Sequence, residues 1–390
     1  MQWLPHDRPI LEAAMAAFRA GDWRAARARL EEATATGRAD AGAHALLATA
    51  LWNLHETDAA LDAANRALQL DPRQLRALLV KAEALAAKGE RREANAHFGL
   101  VEAAAAGHPS LAPDLVAGVA RTRARREQLK TDLEGFVRSE LADAGYREGK
   151  APERFTHALE VLTGRRKLYV QQPRFLYYPG LPDVEFYPRE ATPWMDAVED
   201  ATDAVAAEVM NVIDEDKAFE PYVQSKDDMI IRAPSKLTDN MDWSSYYLWK
   251  DGRETENVAR FRDTMAVMNA APLCHVNGRS PLINFSQLKP GAHITPHTGV
   301  VNTRLLCHLP LIVPPNCVFR VGNQTRTWEK GKAWMFNDSI EHEAWNRSDS
   351  TRIVLIFDVW RPELDEEERR LISTLLQSMD AYAPPTGSWD

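Results

Sequence analysis

The run His293-Ile-Thr-Pro296-His297-Thr-Gly299-Val-Val-Asn302-Thr-Arg304-Leu-Leu306-Cys307-His308 is the chemically densest stretch of the chain. His342 follows His297 by 45 residues, and Arg352 lies ten residues further on. Arg352 opens the apolar string Ile-Val-Leu-Ile-Phe-Asp358-Val-Trp360. A guanidinium heading a strand that is apolar on both faces is costly unless it meets an anion. Asp358, on the same strand face, is one candidate partner; a bound acid is the other. Arg304, Leu306 and His308 share one strand face by period-two alternation, which offers two polar groups to a cavity. His293 and His297 are four apart, but Pro296 excludes the helix that a zinc-peptidase motif needs. His275 and His293 read as hydrogen-bonded structural residues, and Cys307 and Cys317 as small core residues.

Side chains of this kind need a rigid frame. Short β-branched and aromatic runs, broken by Asn, Gly and Pro, predict strands over 282–288, 304–313, 317–321, 333–336 and 352–360, the texture of a sandwich or barrel. A helix with one apolar face is predicted over about 194–213, and a surface helix begins within 363–370. Between 171 and 193, Pro173, Pro179, Pro182, Pro188 and Pro193 lie among aromatics. Prolines at that density exclude regular helix and central strand. The aromatics want burial, so the stretch reads as an ordered connector.

Residues 10–128 have a different texture, rich in Ala, Leu, Arg and Glu, with self-similarity at a period of 34. Gly21-Asp22, His55-Glu56 and Gly89-Glu90 fall in register, as do Ala26, Ala60 and Ala94. So do Leu30, Ala64 and Phe98, and Ala14, Ala48 and Ala82. Small residues recur where paired helices approach closely, and the Gly-acid pairs mark turns. The pattern resembles three tetratricopeptide repeats over about 7–108, followed by one or two capping helices over 110–145. The chain of 390 residues has 47 basic and 56 acidic side chains, a balance that speaks against nucleic acid as a partner. No apolar run reaches the ~18–20 residues of a membrane span. The start, Met1-Gln-Trp-Leu-Pro-His-Asp-Arg, lacks the pattern of a secretory signal, so a cytoplasmic protein is expected.

The histidine and arginine arrangement resembles the iron and 2-oxoglutarate oxygenases, whose double-stranded β-helix carries an early histidine, a distal histidine and a downstream arginine. Within that class, five strings are similar to the aspartyl/asparaginyl β-hydroxylase family. They are Pro-His-Thr-Gly, Asn-x-Arg-Leu-x-x-His, Thr-Arg-Thr-Trp-Glu-x-Gly-Lys, Asp-Ser-x-Glu-His-Glu-x-Trp and Arg-Ile-Val-Leu-Ile-Phe-Asp-Val-Trp-x-Pro-Glu-Leu. The resemblance is strongest over about 239–365, and animal members of the family also carry tetratricopeptide repeats.

The resemblance implies iron(II) held by His297 and His342. Most such oxygenases add a carboxylate two residues after the first histidine; here, as in the family, that place is a glycine, Gly299. Asp338 is the nearest carboxylate by sequence that could stand in. Further implied are Arg352 and Ser286 on the distal carboxylate of 2-oxoglutarate, His308 near its metal-side carboxylate, and Trp243 lining the pocket. Arg304 matches an arginine that holds the substrate's side-chain carboxylate. Leu306 and Thr238 stand where animal members carry basic residues, which alters the expected cosubstrate contacts and puts an aspartyl substrate in doubt.

The expected architecture is an all-α tetratricopeptide-repeat region with caps over 1–145 and a helical, Pro-rich connector over 146–193. A double-stranded β-helix (jelly-roll) oxygenase domain follows over 194–375, then a tail over 376–390. The expected activity is iron(II)-, 2-oxoglutarate- and dioxygen-dependent hydroxylation of Asp or Asn in a peptide or protein delivered along the repeat groove. A free amino acid, a lipid acyl chain or a small peptide is the alternative substrate. A non-catalytic, repeat-based interaction protein is the alternative from another class.

Overall fold

The computed structural model describes residues 8–383 apart from 36, 38, 109, 214–218 and 225–236. The chain divides into two units, Met1–Arg166 and Lys167–Asp390. In the first, the described residues form helices α1 (Arg8–Arg19), α2 (Trp23–Ala35), α3 (Ala41–Asn53), α4 (Thr57–Leu70), α5 (Leu75–Ala87), α6 (Arg91–Ala106), α7 (Pro113–Asp143) and α8 (Glu153–Leu162). Helices α1 to α6 pair as three successive hairpins, and the 34-residue register explains how. Ala14, Ala48 and Ala82, with Ala26, Ala60 and Ala94, are all buried; larger side chains there would push paired helices apart. Each hairpin turn needs one left-handed residue: Gly21 (φ 71°), His55 (φ 62°) and Gly89 (φ 81°). Glycine adopts that conformation freely, whereas His55 bears its strain.

The expected caps are a single 31-residue helix, α7. Gly118 lets it lie close to α5, because a Cβ there would come 2.9 Å from Leu79 Cδ1. This unit encloses a cavity of about 620 Å3 lined in part by Phe18, Trp23, Trp52, Leu79 and Arg121. Within its lining, Arg76 lies 5.2 Å over the Phe18 ring and 2.6 Å from Asp114.

The second unit sets α9 (Met195–Asp200), α10 (Thr202–Met210), α11 (Arg262–Met268) and α12 (Glu366–Tyr382) around a β-sandwich. Its strands are β1 (Glu220–Pro221), β2 (Trp243–Lys250), β3 (Arg253–Glu254), β4 (Ile283–Leu288), β5 (His293–His297), β6 (Arg304–Ile312), β7 (Cys317–Val321), β8 (Gln324–Thr327), β9 (Trp334–Phe336), β10 (His342–Asn346) and β11 (Arg352–Trp360). The larger sheet has the order β1-β2-β4-β11-β6-β9, with β3 on β2; the smaller is β5-β10-β7-β8. Among the described residues the ladders within them are antiparallel. This is the expected jelly roll.

Strand β11 shows why the sequence folds this way. Ile353, Leu355, Phe357 and Val359 enter the core beneath α9 to α11, with Val205, Phe261 and Met268. Val354 and Ile356 face the other way, into the core between the sheets with Ile294, Leu306, Phe319 and Phe336. A strand covered on both faces reads as one continuous apolar run.

Three boundaries differ from those expected from the sequence. The connector is divided: residues through Arg166 belong to the first unit and the Pro-rich stretch to the second. The helix predicted over 194–213 is two helices with a break at Ala201. Helix α12 runs on to Tyr382 and buries Leu376, so the second unit extends past residue 375. A capping box fixes its start, with Glu368 N–H donating to Asp365 at 2.8 Å and Asp365 N–H to Glu368 at 3.0 Å. The tail expected from Pro384 lies outside the described residues. Among the described residues, no helix is long and apolar enough to cross a membrane.

Candidate active site

His297 is the last residue of β5 and His342 the first of β10, and the antiparallel register pairs them directly. The ladder thereby brings two residues distant in sequence to ring centroids 4.1 Å apart. Each imidazole is oriented by backbone: His297 Nδ1 lies 2.8 Å from Thr295 O, and His342 Nδ1 3.0 Å from Ile340 O. A carbonyl can only accept, so Nδ1 carries the proton in both rings. Nε2 is left with its lone pair, the form in which histidine holds a metal. Burial depresses both pKa values, that of His342 well below the ordinary range, and keeps the rings neutral. For His297 the nearby charge of Arg174 acts in the same direction.

Around this pair lies a small cavity, about 50 Å3, lined by Trp243, Ser286, His308 and Arg352 together with Tyr222, Phe319, Trp328 and Phe336. Arg352 is 2% exposed. Its guanidinium lies 4.8 Å over the Trp328 ring, and Nη1 donates to Ser286 O at 3.4 Å. Among the described residues its Nε has no hydrogen-bond partner and no carboxylate pairs with it. Burial therefore pushes its pKa down to about 10. Six residues of strand, about 20 Å, separate it from Asp358, so the intrastrand ion pair considered from the sequence does not form.

Ser286 Oγ accepts from Trp243 Nε1 at 3.3 Å, and Trp243 stacks on Tyr222 with centroids 4.1 Å apart. His308 Nδ1 accepts from Trp328 Nε1 at 3.3 Å, which leaves the ring proton on Nε2. Burial, with Arg352 adding to it, holds the His308 pKa well below the usual range. The cavity thus presents two imidazole lone pairs, one imidazole N–H and one buried cation. That set can hold a metal ion and, beside it, a small organic acid.

Arg304 is not brought to this cavity. It shares the strand face of His308 as expected, but four residues away, about 13 Å along β6. There it is buried and pairs with Asp358 at 2.5 Å, whose other oxygen accepts from Leu282 N–H at 2.7 Å. Arg304, expected to hold a substrate carboxylate, is thus found in an internal ion pair and not among the residues that line this cavity. At Gly299, a Cβ would fall 2.0 Å from Asp338 Oδ2, so the space for a carboxylate side chain at 299 is already filled. Among the described residues no group of three His, Cys, Asp or Glu could hold a metal, which leaves Asp338 outside the histidine pair's coordination.

The aspartyl/asparaginyl beta-hydroxylase model matches residues 199–362, the stretch that carries this whole cavity. An ornithine lipid ester-linked acyl 2-hydroxylase of Rhizobium tropici is 30% identical over 213 residues, 54% of this chain and 71% of that protein. The chain belongs to the aspartyl/asparaginyl β-hydroxylase family. The mouse aspartyl/asparaginyl beta-hydroxylase is 39% identical over 140 residues, 36% of this chain. The chain spans about a fifth of the length of that protein and of its human counterpart. Among solved structures, an Arabidopsis OM64 TPR domain resembles 30% of this chain at 20% identity and a TM-score of 0.27, covering 95% of that domain.

Sequence reasoning did not single out Tyr222, Phe319 and Phe336, the aromatic lining. Period-two alternation in β7 and β9 was the available signal, but it does not distinguish cavity lining from ordinary core.

Proposed function

We propose that this chain is an iron(II)- and 2-oxoglutarate-dependent hydroxylase. The observation that carries the reading is Arg352, a buried guanidinium with no counter-anion among the described residues, beside two neutral imidazoles whose Nε2 atoms are available. That donor set fits the metal and the acid together. His297 and His342 would hold iron through Nε2. Arg352 would pair with the distal carboxylate of 2-oxoglutarate, with Ser286 beside it, and His308 would donate Nε2–H to the carboxylate nearer the metal. The bound iron and cosubstrate would supply, with dioxygen, the oxidising equivalent for inserting a hydroxyl group. Trp243, Tyr222, Phe319 and Phe336 exclude water, so that each charged contact acts in a low dielectric.

The substrate we infer is an Asp or Asn residue of a peptide or protein, as the mouse and human relatives' names describe. The repeat unit, with its aromatic and arginine-lined cavity, would receive flanking sequence. A second reading has its own observation: Arg304, the expected partner of an acidic substrate side chain, is paired with Asp358. The Rhizobium relative, most of whose length is covered, is named for acting on an acyl chain. Hydroxylation of an acyl chain is therefore the alternative.

Metal analysis tests the ligand assignment. Wild-type protein should bind one iron(II) per chain, and His297→Ala or His342→Ala should abolish it, since two imidazoles make a site that cannot spare a ligand. Stoichiometric iron in either variant would overturn the assignment.

A further inference from the structure

Residues 171–178, the start of the stretch read from its prolines as a connector, make backbone contacts that the chemistry above does not use. Gln172 N–H donates to Ser339 O at 2.7 Å, in the loop leading into His342. Arg174 N–H donates to Gly299 O at 3.0 Å and Phe175 N–H to Val300 O at 2.9 Å, in the loop leaving His297. One extended run is thus bonded to both histidine-bearing loops. The two loops are also joined to each other, Gly299 N–H donating to Asp338 O at 2.7 Å.

The run is itself anchored by buried groups. Asn302 accepts from Tyr178 N–H at 2.7 Å and donates to Tyr178 O and to Gln171 Oε1, each at 2.9 Å. Arg361, fully buried, donates to Gln171 Oε1 at 2.9 Å and to Pro182 O at 2.8 Å. A satisfied buried network of this kind holds a single geometry. Its placement matters because each histidine sits at a strand end, where the ladder stops and the chain runs into a loop. Among the described residues no third side chain completes the site, so the two rings must be held at their separation by what surrounds them.

We propose that residues 171–178 are a strap that positions the His297 and His342 loops, so that metal affinity depends on backbone donors lying outside the family-matched region 199–362. The inference rests on the reading of those histidines as metal ligands. The side chains of Gln172 and Phe175 are exposed. Gln172→Pro and Phe175→Pro therefore each delete one strap N–H while leaving the core side chains in place. Gln172→Ala and Phe175→Ala keep the N–H and serve as controls.

The full-length chain is titrated with cobalt(II), following affinity and the visible ligand-field spectrum, with circular dichroism recorded in parallel. Alanine variants should match wild type. Each proline variant should bind cobalt about ten-fold more weakly, with an altered spectrum, as when a contact supporting a ligating histidine is lost. Proline variants that match their controls overturn the strap. Absence of cobalt binding by wild type overturns the ligand assignment, and the strap with it. Should the proline variants unfold, hydrogen exchange on the unaltered chain decides: cobalt should slow exchange in 171–178 together with 298–302. Unchanged exchange in 171–178 contradicts the proposal.

Discussion

Replacing Arg352 with methionine should make the metal-free protein more stable while destroying cosubstrate binding. The stability half follows from burial. Burial pushes the guanidinium pKa down from its ordinary value to about 10, and one pKa unit is about 1.4 kcal/mol. Holding the charge therefore costs the empty site on the order of 3 kcal/mol. Exchanging a buried charge for an apolar side chain of similar length commonly stabilises by ~1–4 kcal/mol. In a unit of this size each kcal/mol raises the midpoint by roughly 2–4 °C. The binding half has the opposite sign. Without Arg352 the distal carboxylate of 2-oxoglutarate would be buried unpaired, at ~3–5 kcal/mol, or two to three powers of ten in affinity. Thermal unfolding of metal-free protein and calorimetric titration with 2-oxoglutarate in the presence of zinc(II) measure the two halves. A lower midpoint, as from loss of a native ion pair, would refute the reasoning, and so would unchanged 2-oxoglutarate affinity.

Three further outcomes are expected. Arg304→Ala should lower the unfolding free energy by ~3–5 kcal/mol by leaving the Asp358 carboxylate buried without its partner; the double variant Arg304→Met, Asp358→Leu should recover most of that in urea unfolding, and equal loss in both would contradict an ion pair. His308 is held neutral far below its unfolded value, so the unfolded chain binds more protons as pH falls below about 6.5. Stability should then drop by up to about 1.4 kcal/mol per pH unit from that histidine, and His308→Gln should flatten the urea-midpoint profile between pH 5 and 7; an unflattened profile would refute this. His55→Gly should raise the stability of the repeat unit by about 0.5–1 kcal/mol by relieving a left-handed residue, and a lower melting midpoint would show that His55 makes a contact worth more than the strain.

Much of the architecture was legible because the signals were periodic. The 34-residue register placed the alanines that meet in the hairpins and marked the turn positions, including His55. Continuous apolar runs located β4, β6, β7, β9 and β11. Strands β5 and β10 carry His297 and His342 but little apolar pattern, so the motif resemblance picked out the histidines while the register that joins them came only with the structure. Alternation put Arg304 on the right face of β6. It could not say that Asp358, from the neighbouring strand, would reach it first, because that contact depends on how β6 and β11 are staggered. The prolines of 171–193 announced an ordered segment, yet the backbone donors of 172–175 found acceptors in loops over a hundred residues away, which no local pattern encodes.

The central claim is that the cavity couples 2-oxoglutarate and dioxygen to hydroxylation at a metal held by His297 and His342. Incubating the iron(II)-loaded chain with 2-oxoglutarate under 18O-labelled dioxygen, and analysing succinate by mass spectrometry, tests it most directly. The account predicts succinate carrying one labelled oxygen from wild type, and none from His297→Ala, His342→Ala or Arg352→Met. Wild-type protein that retains iron yet releases no labelled succinate, or variants that release as much as wild type, would contradict it.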